Sequence, residues 1–142
     1  MTDFVHRRQI TIHWGHCDPA GIVFNARYFE FFDECTWLLF EAALGVKKHE
    51  LAGAFGIIGI PLVGAGGRFM APIKFGESVE IASHVSEFRR SSFDVQHRIT
   101  KEGELAAEGQ ETRVWAGRDA DNPSRMKSKP IPTEVIARFK KS

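Results

Sequence analysis

The sequence is poor in cysteine and has no excess of either charge. Its two cysteines, Cys17 and Cys35, lack the spacing of a metal or redox motif and are too few for a disulfide framework, so we expect reduced thiols. Lysine and arginine total 19 against 18 aspartates and glutamates, which gives a formal net charge of +1. This balance excludes a global attraction to nucleic acid or to an acidic membrane, and any anion site must be local.

Long hydrophobic runs are also missing. Residues 1–9 contain no apolar stretch, and the longest uncharged run, residues 54–67, is too short and too rich in glycine and proline to cross a bilayer. The chain has no internal repeat, low-complexity tract or shift in composition that would mark a domain boundary. We therefore expect one cytoplasmic domain over residues 1–142, without a membrane or nucleic-acid partner.

The sequence does contain a change of hydrophobic period near its start. From Arg7 to Trp14, apolar and polar side chains alternate as in a strand with one buried face. Asn25 can then cap a helix that runs to about Leu44, and Gly45 suits its C-terminal cap. The apolar residues of this helix cover more than one stripe, which predicts a helix buried on most sides.

The rest of the chain predicts a sheet. Four extended segments follow the helix, at residues 61–75, 79–85, 93–99 and 105–115, with turns at 89–91 and 102–104 between the later ones. Residues 118–132 predict a loop, after which Thr133 can cap a short C-terminal helix. This order predicts an α+β fold with one long helix packed on an antiparallel sheet, whose free edges favour dimerisation.

A single carboxylate, Asp18, lies in the segment Asp-Pro-Ala-Gly shortly before the long helix. Such a segment is typical of a turn in which the side chain accepts backbone hydrogen bonds. It also suits catalysis, because the helix that begins near Asn25 offers unpaired N–H groups and a positive dipole end that can polarise a carbonyl. An acid beside such donors can attack an acyl carbon or deprotonate water, as thioester hydrolysis requires, without a metal or cofactor.

The residues around Asp18 carry a resemblance to a known family. Residues 14–33, WGHCDPAGIVFNARYFEFFD, are similar to the signature of hotdog-fold acyl-CoA thioesterases, particularly the 4-hydroxybenzoyl-CoA thioesterase family. Residues 68–81 and 87–93 resemble the strand, bend and hairpin that follow the central helix in that family. The resemblance implies a hotdog fold, in which a curved antiparallel sheet wraps around one long central helix, and assembly into homodimers and often homotetramers.

At matching positions, the resemblance implies roles for several residues. Asp18 would be the catalytic nucleophile or general base, and the backbone amide of Asn25 would bind the thioester oxygen. The strand that contains Gly66 would border an acyl pocket that is contributed across the dimer. These residues would form the reacting end of the site.

The opposite end of the substrate would need cations, because coenzyme A carries phosphates. Arg89 and Arg90, with Ser91 beside them, would bind these phosphates through charge-assisted hydrogen bonds. A second basic cluster at positions 125, 127 and 129 lies outside the resembling segments. Solvent-exposed charges in a turn are the ordinary alternative for both groups.

Other polar residues near the motif have simpler interpretations. His16 would touch the substrate or orient the loop, and with His13 alone it does not make a metal site. Cys17 lacks a histidine base and is interpreted as a small packing residue. We expect a structural or dimer-interface role for Asp33, and a hydrogen-bonded buried or interface side chain for His97.

These features predict an acyl-CoA thioesterase that releases a free acid and coenzyme A. The acyl group would be aryl, similar to 4-hydroxybenzoyl, or a short chain. One alternative is a non-catalytic hotdog module that binds CoA esters or a protein partner, because a fold does not determine function. The other is a thioesterase whose substrate is attached to acyl carrier protein.

Overall fold

A five-stranded antiparallel sheet forms most of the fold in the computed structural model, which describes residues 3–140. The strands are β1 (His6–Thr11), β2 (Leu62–Phe69), β3 (Ser78–Phe88), β4 (Ser92–Lys101) and β5 (Glu104–Val114). Their order across the sheet is β1-β3-β4-β5-β2, so β1 and β2 form its two edges. Residues 1–2 and 141–142 of the predicted domain lie outside the described residues.

One long helix, α1 (Asn25–Leu44), packs on this sheet and confirms the predicted α+β fold. Gly45 ends the helix as predicted, because its φ of 73° lies in the left-handed region that glycine adopts easily. The predicted N-cap was wrong by one residue: Phe24, with φ −68° and ψ 136°, is the cap, and Asn25 begins the helix. The N–H of Phe24 is bonded to the carbonyl of His16, a contact that sequence spacing does not reveal.

Helix α1 buries one face and exposes the other. Its buried residues are Tyr28, Phe31, Phe32, Cys35, Thr36, Leu39, Phe40, Ala43 and Leu44. The opposite face carries Phe29, Asp33 and Glu34, all of which are exposed. The expected burial on most sides is therefore wrong for the single chain, because the sheet covers only one side of the helix.

The core consists of two hydrophobic clusters, one along the first half of α1 and one along the second. A buried polar residue lies between the two clusters on each of four elements: Thr36 on α1, Ser83 on β3, His97 on β4 and Glu111 on β5. A polar layer therefore crosses the centre of the core.

The predicted strands agree with the sheet at their centres and differ at some ends. The turn at 102–104 is confirmed, because Glu102 and Gly103 have φ values of 51° and 80°, as a two-residue hairpin requires. The first strand ends at Thr11 instead of Trp14, because Trp14–His16 form a 3-10 turn. The extended stretch 61–75 forms a strand only as far as Phe69.

Short elements complete the fold. The predicted loop 118–132 contains β7 (Met126–Ser128), which pairs with β6 (Ala116–Arg118), and three-residue strands are too short to show an alternating pattern. Helix α2 (Leu51–Phe55) follows α1, and α3 (Thr133–Arg138) has Pro132 as its N-cap instead of Thr133. Between residues 3 and 140, no helix combines the length and hydrophobicity needed to span a bilayer.

Candidate active site

The segment before α1 folds back on itself and carries Asp18 at its turn. The N–H of Asp18 donates to the carbonyl of Ile22 at 2.9 Å, and the N–H of Gly21 donates to the carbonyl of Asp18 at 2.9 Å. Gly21 has φ of 80°, which side-chain-bearing residues rarely adopt, so glycine permits the reversal. Cys17 and Val23 pair across the base of the turn. We name the segment 17–23 the Asp18 loop.

The carboxylate of Asp18 is half-buried and has one oxygen engaged. Oδ1 accepts the N–H of Ala20 at 2.8 Å, so the ordinary turn interpretation is correct for this oxygen. Oδ2 accepts no hydrogen bond from the residues that the structure describes. The turn therefore orients the carboxylate and leaves Oδ2 available to a water molecule or to an acyl carbon.

A hydrogen bond between the residues that flank this loop fixes where α1 starts. The N–H of Phe24 donates to the carbonyl of His16 at 2.9 Å, and the N–H of Arg27 donates to the carbonyl of Phe24 at 2.8 Å. The amides of Asn25 and Ala26 precede the first helical hydrogen bond and have no partner among residues 3–140. These amides, with the positive end of the dipole of a 20-residue helix, can bind an oxygen that gains negative charge.

A small cavity adjoins the start of α1. Its volume is about 210 Å³, and it is lined by Ile22, Val23, Asn25, Tyr28, Phe69, Met70, Ala71 and Pro72. The rings of Tyr28 and Phe69 lie 4.7 Å apart, and Tyr28 is buried while Phe69 and Met70 are exposed. This mainly apolar cavity is the part of the described chain that best suits an acyl group beside the Asn25 amide.

Gly66 lies elsewhere on the same edge strand. It pairs with Gln110 and lines a separate cavity of about 350 Å³, together with Arg68, Gln96 and Glu108. His97 and Gly109 face α1. Successive residues of a strand face opposite sides of a sheet, so their chain neighbours Gln96 and Glu108 face away from the helix, and the cavity lies on that side of the sheet. A single chain therefore does not bring Gly66 together with Asp18.

The side chain of Arg89 is hydrogen-bonded to residues within and beside the β3–β4 turn. Its Nη1 and Nη2 donate to the two carboxylate oxygens of Asp94 at 3.0 and 2.7 Å, Nη1 also donates to Glu87, and Nε donates to Ser92. The hydrogen bond from Arg89 lowers the pKa of Asp94. Four of the five N–H donors of Arg89 are thus engaged within the β3–β4 turn, which favours a structural role for Arg89 over the phosphate contact that the sequence predicts.

Arg90 and Ser91 remain available at the tip of this turn. Their side chains form no hydrogen bond or ion pair with residues 3–140, and Arg90 is exposed. The carbonyl of Arg90 accepts the N–H of Ile131, and the carbonyl of Ser91 accepts the N–H of Trp115. Lys129, which donates its N–H to Trp115, is thereby brought beside the turn. The structure thus brings one member of the second basic cluster, Lys129, close to the first cluster.

The β3–β4 turn and the Asp18 loop lie at opposite ends of the core. Val85 and Phe93, which flank the turn, belong to the cluster along the second half of α1, whereas Val23 and Ile73 belong to the cluster along the first half. A helix of 20 residues is about 30 Å long. Arg90 and Asp18 of one chain are therefore separated by most of the helix.

The polar layer of the core was not predicted as a unit. His97 is fully buried as expected; its Nδ1 lies 2.7 Å from Ser83 Oγ, and its Nε2 lies 3.2 Å from Glu111 Oε1. Thr36 donates a hydrogen bond to the same carboxylate. Arg113 donates to Glu111 Oε2 at 2.9 Å, and the layer connects four elements of the fold.

Arg113 extends this layer to the surface of α1. It donates to Asp33 Oδ1 at 2.7 Å and to the carbonyl of Ile60 at 3.0 Å, so the structural role expected for Asp33 includes an ion pair with the sheet. Burial alone raises the pKa of Glu111, but hydrogen bonds from His97, Arg113 and Thr36, with the Arg113 charge, lower it from 4.5 to about 2. The carboxylate is therefore ionised inside the core.

The remaining predicted polar residues lie beside the Asp18 loop. His16 lines a cavity of about 290 Å³ with Arg8, His13, Phe31 and Glu34, and it is half-buried. Cys17 and Cys35 are free thiols, and burial raises the pKa of Cys35 to about 11. Within residues 3–140, no group of three or more His, Cys, Asp and Glu side chains is arranged to hold a metal ion.

Comparison with known proteins identifies the family of this chain. Residues 12–139 match the family model described as the Thioesterase-like superfamily. The 4-hydroxybenzoyl-CoA thioesterase of Pseudomonas sp. (strain CBS-3) is 26% identical over 133 residues, which cover 90% of this chain and 92% of that protein. The similarity therefore extends over nearly the whole of both sequences.

Solved structures give the same result for the fold. An aspartate-to-asparagine mutant of 4-hydroxybenzoyl CoA thioesterase, complexed with 4-hydroxybenzoyl CoA, matches with a TM-score of 0.84 and 26% identity over 95% of this chain and 98% of that chain. A gentisyl-coenzyme A thioesterase matches with a TM-score of 0.77 and 32% identity over 94% and 98% of the two chains. The predicted hotdog fold and the resemblance to thioesterases are confirmed, and the chain belongs to the thioesterase-like superfamily.

Proposed function

We propose that this chain is an acyl-CoA thioesterase in which Asp18 attacks the substrate or activates water. The observation that carries the proposal is the position of Asp18, whose free Oδ2 lies in a loop that leads directly into the start of α1 and is closed by the hydrogen bond from Phe24 N–H to the His16 carbonyl. The unpaired amide of Asn25 would bind the thioester oxygen there. A carboxylate and an oxyanion site are thus supplied by two adjoining pieces of backbone.

Either role of Asp18 gives a balanced reaction. As a nucleophile, Oδ2 adds to the thioester carbon, the C–S bond breaks, coenzyme A leaves as a thiolate that is protonated by water, and a second water hydrolyses the anhydride. As a general base, Oδ2 accepts a proton from a water whose oxygen adds to the same carbon, the C–S bond then breaks, and the proton held by Oδ2 passes to the leaving coenzyme A thiolate. In both routes the Asn25 N–H and the helix dipole stabilise the charge on the thioester oxygen.

An aryl acyl group is our first candidate for the substrate. The cavity beside Asn25 is bordered by Tyr28 and Phe69, whose rings can pack against an aromatic acid. The relatives above are named for 4-hydroxybenzoyl and gentisyl esters of coenzyme A. A short-chain acyl group is the alternative, since a cavity of about 210 Å³ also accommodates it.

The nucleotide end of coenzyme A would bind at the β3–β4 turn. Arg90 and Ser91 are free to contact phosphates there, and Lys129 lies beside them, whereas Arg89 stabilises the turn through Asp94. This end of one chain lies far from its own Asp18. We therefore propose that a complete site combines elements of neighbouring chains.

A homodimer formed through β2, and a homotetramer built from it, would supply that combination. All eight residues of β2 are exposed, and a free strand edge can pair with a second copy. Gly66, near the middle of β2, would then lie close to the dimer axis and to the acyl pocket. We also propose a cytoplasmic location, because both cysteines are free thiols.

The decisive experiment is a panel of thioesters assayed by release of free thiol. It contains aryl, short-chain and long-chain CoA esters, together with one aryl and one short-chain thioester of acyl carrier protein. Turnover of a CoA ester supports the proposal. Binding of the same esters without thiol release would establish the non-catalytic module, and turnover of the carrier-protein thioester alone would establish the carrier-protein enzyme.

A further inference from the structure

The side chain of His16 is bonded to the backbone that leads into the Asp18 loop. Its Nδ1 accepts the N–H of His13 at 2.9 Å, and its ring packs edge-on against Phe31 at 5.1 Å. The carbonyl of the same residue accepts the N–H of Phe24 at 2.9 Å. His16 therefore connects the strand end before the loop with the helix start that follows it.

This contact requires one protonation state of the ring. Nδ1 can accept the N–H of His13 only through its lone pair, so the proton of the neutral ring lies on Nε2. A ring protonated on both nitrogens would direct an Nδ1–H at the N–H of His13. Two donors cannot bond to each other, and the contact would be lost.

Charged groups surround His16 on three elements. His13 lies in the same turn with its ring 5.4 Å away, Arg8 faces the shared cavity from β1, and Arg27, Glu30 and Glu34 lie on α1. Burial, followed by His13 and Arg27, lowers the pKa of His16, and the two glutamates oppose this only in part. The neutral ring is thus the dominant form at neutral pH.

We propose that neutral His16 is a positioning residue for the Asp18 loop, and that protonation of its ring releases the loop and reduces thioester hydrolysis at mildly acidic pH. The inference rests on the proposed function of Asp18 for its effect on activity. The predicted effect of protonation on the loop conformation is independent of that function, because it depends only on the backbone contacts.

The loop has few other attachments on this side. Besides the Phe24 bond, the 3-10 turn has hydrogen bonds from His16 N–H to the carbonyl of His13 and from Cys17 N–H to the carbonyl of Trp14, both 3.0 Å long, and a longer contact of 3.6 Å from Cys17 Sγ to the carbonyl of His13. Asp18 follows directly after this turn. A displacement of about 1 Å at a reacting group can lower a rate by as much as a hundredfold, so we expect about a tenfold loss in the protonated form.

Two substitutions separate the hydrogen bond from the charge. In His16→Asn, the side-chain oxygen can accept the N–H of His13 but does not titrate. In His16→Phe, the ring can still pack on Phe31 but offers no acceptor. His84→Asn, which removes a histidine from the middle of β3, is the matched control.

The first measurement is kcat/KM against pH with a CoA ester that the parent hydrolyses. We expect the parent and His84→Asn to lose activity as the pH falls below about 6.5, the ordinary pKa of histidine. His16→Asn should keep neutral activity within about threefold and lose this acid limb, while His16→Phe should be about tenfold less active at all pH values. An unchanged acid limb in His16→Asn would overturn the proposal.

The second measurement does not depend on hydrolysis. Nitrogen-15 NMR of the histidine rings should show His16 as the Nε2–H tautomer at neutral pH, with the signal identified by its loss in His16→Asn. The backbone amides of Asp18 and Gly21 should shift with the midpoint of this ring, and should not shift over that range in His16→Asn. An Nδ1–H tautomer, or loop amide signals that do not change as the His16 ring titrates, would refute the inference even in an active enzyme. The expected shifts in a protein that hydrolyses no thioester would refute only the proposed function.

Discussion

His97 on β4 and Glu111 on β5 meet inside the core, with Nε2 of the histidine 3.2 Å from Oε1 of the glutamate. The carboxylate also accepts a hydrogen bond from Thr36 and forms an ion pair with Arg113. A buried charge is costly unless it is paired and hydrogen-bonded, and here every partner comes from a different position on α1, β4 or β5. The polar layer therefore favours one alignment of the helix on the sheet.

Removal of Glu111 should destabilise the fold strongly. Glu111→Ala leaves the guanidinium of Arg113 and the ring of His97 without their common acceptor, which should lower the free energy of unfolding by about 3–5 kcal/mol. Urea unfolding followed by circular dichroism measures this. The matched control is Glu104→Gln, at an exposed hairpin position, which should change stability by less than about 0.5 kcal/mol. Equal effects of the two changes would contradict the role of the layer.

The same residue predicts how stability depends on pH. The pKa of Glu111 is lowered from 4.5 to about 2 in the folded chain, so its contribution is complete above pH 4.5 and is lost as the pH falls towards 2. The parent should therefore lose more stability than Glu111→Gln when the pH is reduced over this range. Urea midpoints at a series of pH values give the comparison, and parallel curves for the two proteins would rule out the contribution.

Gly109 should be intolerant of even one methyl group. A Cβ at this position would overlap the ring of Phe32, which is buried and stacks on His97. Gly109→Ala should lower the free energy of unfolding by about 1–3 kcal/mol, as overpacking does. Gly53→Ala is the control, because a Cβ there meets no atom within 4 Å, and this change should be neutral or slightly stabilising. If Phe32→Leu does not reduce the cost of Gly109→Ala, the overlap is not its cause.

Arg90 and Arg89 should have different effects on substrate binding. Arg90→Ala should raise KM for a CoA ester about tenfold with little change in kcat, because a charge-assisted contact to phosphate is lost. Arg89→Ala should leave KM within about twofold and lower thermal stability, because Asp94 loses its bidentate partner. A thioester of pantetheine, which lacks the nucleotide, should show no KM change with either variant. A larger KM effect from Arg89 would reverse the assignment.

Hydrophobic periodicity predicted the elements that carry the site. A helix capped by Asn25 and running to about Leu44 was predicted because its apolar side chains repeat at helical spacing, and the structure differs only at the start, where Phe24 is the cap and Asn25 is the first helical residue. The buried state of His97 followed from its alternation with apolar neighbours on β4. Local pattern is sufficient in these cases, because each property depends on one element and on the face that it buries.

Partners across the fold could not be predicted in this way. The pairing of Arg89 with Asp94 depends on the β3–β4 hairpin, and the pairing of Arg113 with Asp33 depends on how α1 crosses the sheet. Sequence shows that such charges exist but not which of them neutralise each other. The same reason explains why Lys129 could not be placed beside Arg90 before the fold was known.

The free edge of β2 should control assembly. Val63 is 62% exposed on this strand, and Val63→Glu would place a charge at the edge that we propose pairs with a second copy. We expect sedimentation to show a dimer weakened by about tenfold or more, with a parallel loss of hydrolysis. Val5→Glu, beside the opposite edge strand, should leave assembly unchanged. A dimer that tolerates Val63→Glu but not Val5→Glu would move the interface to the other edge.

Asp18→Asn is the direct test of the catalytic carboxylate. The asparagine Oδ1 can still accept the N–H of Ala20, so the Asp18 loop should keep its conformation while the negative charge at Oδ2 is removed. Loss of a nucleophile or general base should reduce kcat by about 10²–10⁴-fold, with unchanged circular dichroism and sedimentation. The control is Asp121→Asn, in the exposed segment between β6 and β7, which should retain parental kcat. It shows whether the loss of kcat is specific to Asp18 or follows from removing any aspartate. Near-parental turnover by a purified, folded Asp18→Asn protein would remove Asp18 from the mechanism, because no other step of the proposed reaction can replace its charge.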